Sequence, residues 1–240
     1  MCQNSRFPRR PSPRRRRRAG PPNSTGASLS ARLIDVMDAD LLLKIYALGA
    51  FPMWNEDADE VHLFRPEPRA IIEFDGLHVS RRLERTVRRR PFRLTSNRVF
   101  DRVLDECHRE RDDGCWCSPQ MAVAYSELHD RGYAHSVEAW LGDDLVGGLY
   151  GVHLGAAFMA ESMFSRPERG GTDASSVVLV ETIRGLAVAG FQLFDVQFEN
   201  PHISRFGVVE IDDEDYLRRF EQAVSAARDW PTLGLTSERA

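Results

Sequence analysis

The sequence predicts an α+β fold in which mostly antiparallel strands are layered against helices. Three observations carry that prediction. Residues 132–165 read as consecutive β segments separated by glycine turns. Residues 173–189 then read as one long amphipathic helix closed by Gly190. After it come a strand, a shorter strand and a final helix, over 191–198, 208–211 and 212–227.

Along the chain the elements follow from local chemistry. Asp38 is placed to cap a short helix through Leu48, with Leu42, Ile45 and Tyr46 at helical spacing and Gly49 ending it. Residues 49–54 and 65–69 are punctuated by proline and read as loops. Ser80 is placed to cap a second helix that Pro91 must end. Leu83 and Val87 give that helix its inner face. Residues 95–133 read as helical, broken at Asp112-Asp113-Gly114. Residues 135–141 and 145–154 form a hairpin around Gly142-Asp143-Asp144, and 157–164 is a third strand after Gly155. Asp173 caps the long helix, whose apolar stripe is Val177, Val180, Ile183 and Leu186.

The boundaries that follow are a disordered Arg/Pro-rich tail over 1–37, most extreme over 1–27, a small N-terminal domain over 38–69, the main domain over 70–230 and a flexible end over 231–240. A chain of 240 residues at 42% hydrophobic composition can bury a real core. No apolar run approaches the roughly 20 residues that span a bilayer, so the expectation is a soluble chain without a membrane partner.

The net charge of −4 is unevenly spread: residues 1–27 hold eight arginines and no acid, leaving residues 28–240 at −12. A body this acidic must concentrate positive charge wherever it touches RNA. Residues 80–93, SRRLERTVRRRPFR, hold seven arginines and one acid, with Arg82, Arg85 and Arg89 on one helix face. The plain reading is a solvated face; the sharper one is a contact for an RNA backbone. The tail has the same two readings, with a transit peptide as a third.

Cys2, Cys107, Cys115 and Cys117 stand without a visible signal peptide, so reduced thiols and a cytoplasmic location are expected. Cys107-His108 with Cys115 and Cys117 fits no usual zinc spacing, and neither metal nor cofactor is expected.

Two stretches carry chemistry. Asp195 and Gln197 are two apart in a strand, so both face one side, roughly 6–7 Å apart, while Phe194, Val196 and Phe198 face the core. Glu161 sits inside the apolar run 158–164, where a buried carboxylate without a partner is costly. A substrate group or an internal arginine such as Arg166 would satisfy it. The plain alternative for Asp195 and Gln197 is an edge strand facing solvent.

These stretches, GYAHSVEAWLGDDLVGGLYGVHLGAAFMAESMFSR and Asp195-Val196-Gln197-Phe198, resemble the leucyl/phenylalanyl-tRNA–protein transferases, with order and spacing agreeing through about residues 40–220. The resemblance implies an acetyltransferase-like C-terminal domain after a small N-terminal domain. The latter departs from the family in lacking a stretch before the first helix and in keeping only Trp54 and Phe64 of its loop aromatics, so a trimmed N-terminal domain is expected. The resemblance also implies transfer of Leu or Phe, and also Met, from aminoacyl-tRNA to proteins beginning with Arg or Lys, which marks them for degradation, by a monomer.

The matching Asp-x-Gln pair, Asp195 and Gln197, would be catalytic. Glu161 would bind substrate, and Leu149, Met163, Thr182 and Phe194 would line the donor pocket. Trp116 and Tyr46 would lie near the terminal adenosine, where stacking contributes about 1–3 kcal/mol per base. The chain departs from the pattern in its long 166–172 segment, in Ser176 where lysine is common, and in Thr182 where an aromatic is frequent. A coenzyme-A acyltransferase would need an R/Q-x-x-G-x-G/A loop, and Gly170-Gly171 has no arginine in register. A non-catalytic tRNA binder is the other alternative.

Overall fold

Two sheets and six helices pack around a shared interior in the computed structural model, which describes residues 28–33, 37–55, 59–109 and 116–233. The smaller sheet contains β1 (Ser28–Leu33), β2 (Phe51–Asn55) and β3 (Glu60–Phe64), all antiparallel, in the order β1-β3-β2. The larger sheet contains β4 (Arg69–Ile72), β5 (Arg93–Ser96), β6 (Ala134–Leu141), β7 (Asp144–Leu154), β8 (Ala157–Ser165), β9 (Leu193–Gln197) and β10 (Val208–Ile211). Its order is β10-β4-β9-β8-β7-β6-β5, and every neighbouring pair is antiparallel except β8 with β9.

That one parallel pair demands a crossover. Helix α5 (Ala174–Val188) supplies it. It lies against one face of the sheet with α2 (Arg81–Arg89), over a core that includes Val146, Leu149, Phe158 and Phe194. The other face carries α1 (Ala39–Ala47), α3 (Phe100–His108), α4 (Pro119–Asp130) and α6 (Asp213–Ser225) over Tyr150, Val152, Met159 and Leu193. Phe51 and Val61 of the small sheet belong to this second core, so the N-terminal elements pack directly onto the main sheet.

The helix starts are where local chemistry puts them. Asp38, Ser80 and Asp212 each accept a hydrogen bond from the backbone N–H three residues on, in α1, α2 and α6. The expected strands 135–141, 145–154, 157–164 and 208–211 form with ends within a residue or so. The strand expected over 191–198 is shorter, β9.

Other expectations are corrected. Residues 51–54 are not a loop: β2 forms a hairpin with β3 there, and Pro52 is tolerated because β2 is an edge strand. The loop expected over 65–69 is found over 65–68, with Arg69 already opening β4. Arg69–Ile72 is a strand buried along its whole length, too short and too uniformly buried to show alternation. Arg93–Ser96 pairs with β6 instead of starting a helix, and α3 begins only at Phe100. Strand β1 lies within the segment expected to be tail. The Arg-rich stretch 1–27, Cys2, the break at 112–114, Cys115 and residues 234–240 lie outside the described residues.

Asp173 stands at the α5 N-terminus in a left-handed conformation, φ 65°, and makes no side-chain cap; its carboxylate is paired elsewhere. Phe198 does not share a face with Phe194. It packs edge-on against Phe51 at 5.5 Å, on the opposite side of the sheet, because β9 is bulged.

The β7–β8 turn abuts the end of α6. Ala156 N–H donates to Ala223 O at 2.7 Å, and Gly155 has φ +58°. A Cβ on Gly155 would lie 2.3 Å from Val224 O and 2.7 Å from Ala223 O. Gly155→Ala is therefore expected to cost about 2 kcal/mol or more, read as a lower urea midpoint at unchanged slope.

Candidate functional site

The parallel pairing of β8 and β9 is brief. It runs only through Ala157↔Leu193, Phe158↔Phe194 and Met159↔Asp195. Beyond Met159 and Asp195 the two chains part. The gap becomes a cavity of about 870 Å³ lined by residues 160–166 on one side and Val196 with 198–203 on the other. Leu149 of β7, Leu179 of α5 and the α3 end (Glu106, Arg109) complete it.

Each parting strand carries a bulge. On β8 the register steps from Gly151↔Ala160 to Tyr150↔Ser162, leaving Glu161 as the extra residue. On β9 it steps from Ile71↔Asp195 to Ala70↔Gln197, leaving Val196 extra, with Gln197 at φ 65°. Bulges re-aim side chains beside functional clefts. Here they bring Glu161 and Gln197 together: Gln197 Nε2 donates to Glu161 Oε1 at 2.8 Å.

Behind this pair lies a buried ion pair. Asp195 is 0% exposed and Arg69 1%. Arg69 Nη2 donates to Asp195 Oδ2 at 2.6 Å and Arg69 Nε to Oδ1 at 3.0 Å. Tyr216 OH donates to Oδ2 at 2.9 Å, and the Gln197 backbone N–H to Oδ1 at 2.8 Å. Arg69 is itself held between the Phe51 and Tyr216 rings, 4.9 and 4.5 Å from their centroids, and its Nη1 donates to Gly49 O. Burial works against its charge, but the Asp195 carboxylate more than offsets that and raises its pKa. Asp195 and Gln197 thus lie on one side of the sheet as expected, with Asp195 sealed away and Gln197 at its edge.

Glu161 lines the cavity, half-buried. Burial pushes its pKa up to about 7. Hydrogen bonds from Tyr46 and Gln197 and the charge of Arg69 pull it down, while Asp195 raises it further. Arg166 is not its partner. That guanidinium is paired with the Glu106 carboxylate and sits over the Phe164 ring at 5.0 Å.

Of the expected pocket residues, Leu149 and Met163 line the cavity. Thr182 and Phe194 do not. Phe194 lies before the strands part and faces the α5 core beside Phe158, ring centroids 5.6 Å apart. Thr182 lies beyond Leu179 on α5, fully buried, its Oγ1 without a hydrogen-bond partner. Both back the wall rather than form it, and Leu179, Val196 and Ile203 are the apolar lining that sequence reasoning missed.

Tyr46 is 1% exposed and presents no free ring face for a base. Its hydroxyl bonds Tyr125 OH at 2.7 Å and reaches Glu161. Trp116 is half-buried, edge-on to His108 at 5.1 Å and parallel to Tyr150 at 6.5 Å, and lies outside the cavity lining. Arg85 and Arg89 are exposed as expected, but Arg82 is committed to Asp173, Nη2 to Oδ1 at 2.9 Å, and lowers that carboxylate's pKa. At Ser176 a cation arrives from another element, Arg205, which donates to Ser176 Oγ at 2.7 Å. Cys107 and Cys117 are buried thiols, and no three metal-binding side chains gather among the described residues. No helix among the described residues is long and apolar enough to cross a membrane.

Neither Arg69, which sits in a Pro-flanked run, nor Tyr216, whose spacing with Phe220 and Ala223 reads only as a core stripe, was singled out from the sequence. An arginine opening a strand of Ala-Ile-Ile was the one available clue.

An α+β chain that sets an apolar cleft beside a carboxamide and a carboxylate has the parts of a group-transfer enzyme. A family model described as leucyl/phenylalanyl-tRNA protein transferase matches residues 71–221. Proteins of that name from Salinibacter ruber (42% identical over 197 residues, 82% of this chain and 84% of the relative) and Zymomonas mobilis (43% over 210, 84% and 77%) are similar to this chain. So is one from Caulobacter vibrioides (42% over 199, 82% and 90%). The chain belongs to the leucyl/phenylalanyl-tRNA–protein transferases, a family of aminoacyltransferases.

The buried pair gives a stability prediction. Arg69→Met strands the Asp195 carboxylate and is expected to cost about 3–5 kcal/mol in urea unfolding. Adding Asp195→Leu should recover a large part of that loss, as a double-mutant cycle would show.

Proposed function

We propose that this protein moves Leu or Phe, and also Met, from aminoacyl-tRNA to the α-amine of proteins beginning with Arg or Lys, as a monomer in the cytoplasm, marking those proteins for degradation. The observation that carries the reading is the cleft between the parted β8 and β9. Apolar side chains line its walls, and Gln197 and Glu161 meet beside it.

The donor ester is already activated, so no covalent enzyme intermediate is required. The protein must hold ester and amine together, remove a proton as the C–N bond forms, and do so in a site screened from water. Leu149, Met163, Leu179 and Val196 offer an apolar surface for the donor side chain, and Met163 adapts to either shape. Gln197 spends its amide N–H on Glu161, which turns its carbonyl oxygen away to accept a hydrogen bond from the acceptor amine. Asp195 positions Gln197 through its backbone N–H. Glu161 and Glu199, both on the cavity lining, favour a cationic acceptor. The acetyltransferase-like arrangement is part of this reading, supported by the order antiparallel strands, crossover helix, parallel strand and closing helix.

Labelled phenylalanine is expected to pass from Phe-tRNA to a test protein beginning with Arg, and not to the same protein beginning with Ala. Equal labelling of both would remove the acceptor rule, and no labelling of either would remove the reading.

Exposed Arg85 and Arg89 project from α2 on the α5 side of the molecule. Replacing them with Ala is expected to weaken tRNA binding and to reduce the slope of log K against log salt by about one unit per lost phosphate contact. Arg82→Ala should change the slope less, because Asp173 already neutralises it.

A further inference from the structure

Proton transfer is the step for which the residues of the motif are least suited. Asp195 is 0% exposed, and both its oxygens are taken by Arg69, Tyr216 and the Gln197 backbone. An incoming amine would have to break that set to reach it. Gln197 is an amide: its nitrogen donates, and its oxygen accepts hydrogen bonds without becoming protonated near neutral pH. Glu161 also accepts hydrogen bonds, from Gln197 and Tyr46, but it is a carboxylate that, unlike Asp195, is only half-buried. It lines the cavity, the β8 bulge aims it at Gln197, and the amide that would hold the amine is hydrogen-bonded to it.

Resting on the transfer reading above, we propose that Glu161 is the catalytic base, and that Gln197 and Asp195 are the groups that hold the amine and the amide in place. The acceptor nitrogen attacks the ester carbonyl carbon, the C–N bond forms, and the carbonyl π pair moves onto oxygen. Glu161 takes one proton from that nitrogen. As the tetrahedral adduct collapses, the bond from carbon to the ribose oxygen breaks, and Glu161 returns the proton to that oxygen. The carboxylate ends as it began, and no further reactant is needed.

The surroundings suit the role. The groups that bear on Glu161 are Tyr46 on α1, Tyr125 on α4, Tyr150 on β7, Arg69 on β4, Asp195 on β9 and Tyr216 on α6. All four tyrosines are raised well above their ordinary range, burial being the main cause, so they remain neutral donors at working pH. Burial with the Asp195 charge moves Glu161 up to about 7, despite Arg69 and its hydrogen bonds. A base is most effective with its pKa near the operating pH, where a free α-amine, pKa about 8, is also partly neutral.

The test is the pH dependence of single-turnover transfer at saturating donor and acceptor, for the full chain and for Glu161→Gln. Two Arg-first peptides whose α-amines differ in pKa serve as acceptors. The native chain should show a rising limb near pH 7 that stays in place with both peptides. Glu161→Gln should lower the rate by about 10²–10⁴-fold and abolish that limb, leaving only the one that moves with the peptide amine. A retained limb, or a change confined to KM, would overturn the proposal and make Glu161 a binding residue.

Folding is checked separately. Because the folded-state pKa is raised, the stability Glu161 contributes is complete below its unfolded value of about 4.5 and is lost as pH rises through 7. The isosteric glutamine should therefore raise Tm at pH 8 relative to the native chain, with little difference at pH 4.5. The absence of that difference would also count against a base titrating near 7. Failure of the native chain to transfer at all overturns the underlying reading, an outcome distinct from transfer that Glu161→Gln leaves unaltered.

Discussion

The Arg69–Asp195 pair is the contact on which the site's geometry depends. Arg69 opens β4, Asp195 sits in β9, Tyr216 reaches both from α6, and Gly49 accepts from the guanidinium at the entrance to β2. Four separate parts of the chain therefore meet at one fully buried charge pair. Such a pair is a poor source of net stability, because desolvation consumes most of its Coulomb energy. What it supplies is position. With either partner missing the other charge is stranded, so the small N-terminal sheet, the main sheet and α6 are locked into one arrangement. Asp195 passes that arrangement on by accepting from the Gln197 backbone N–H, which fixes a residue at φ 65° beside the cleft.

The cleft itself is a consequence of sheet geometry. Two strands cannot be pulled apart within a continuous ladder without leaving unpaired backbone groups. β8 solves this by staying paired to β7, and β9 by staying paired to β4, while only their mutual pairing ends. The two bulges fall where that separation happens. The same local irregularity therefore opens the cavity and turns Glu161 and Gln197 toward each other. Electrostatics follow from placement: burial among tyrosines, next to a second carboxylate, raises the Glu161 pKa to about 7.

Much of this was legible from the chain, and the reasons differ by element. Caps at Asp38 and Ser80, the Gly-Asp-Asp hairpin and the long helix after Asp173 are encoded within a few residues, so local rules found them. The short strands β2 to β5 escaped because each has four or five residues and draws its stability from neighbours distant in sequence. Pro52 made β2 look like a loop only because nothing local announces an edge strand.

The sequence alone determined the α+β order of elements, the acid-rich body with its arginine helix, and the family to which the chain belongs. It also singled out Asp195, Gln197 and Glu161, since charged and amide groups inside apolar strands stand out wherever those strands go. Tertiary structure decided where each sits and what it touches. Asp195 is sealed by Arg69 and Tyr216 across gaps of 126 and 21 residues, which no periodicity records. Thr182 and Phe194 fall behind the cavity wall, and Leu179 and Val196 form it, because the cavity opens only where β8 and β9 part, beyond Met159 and Asp195. A period-two pattern assumes an unbroken ladder, and this site is built where the ladder is broken.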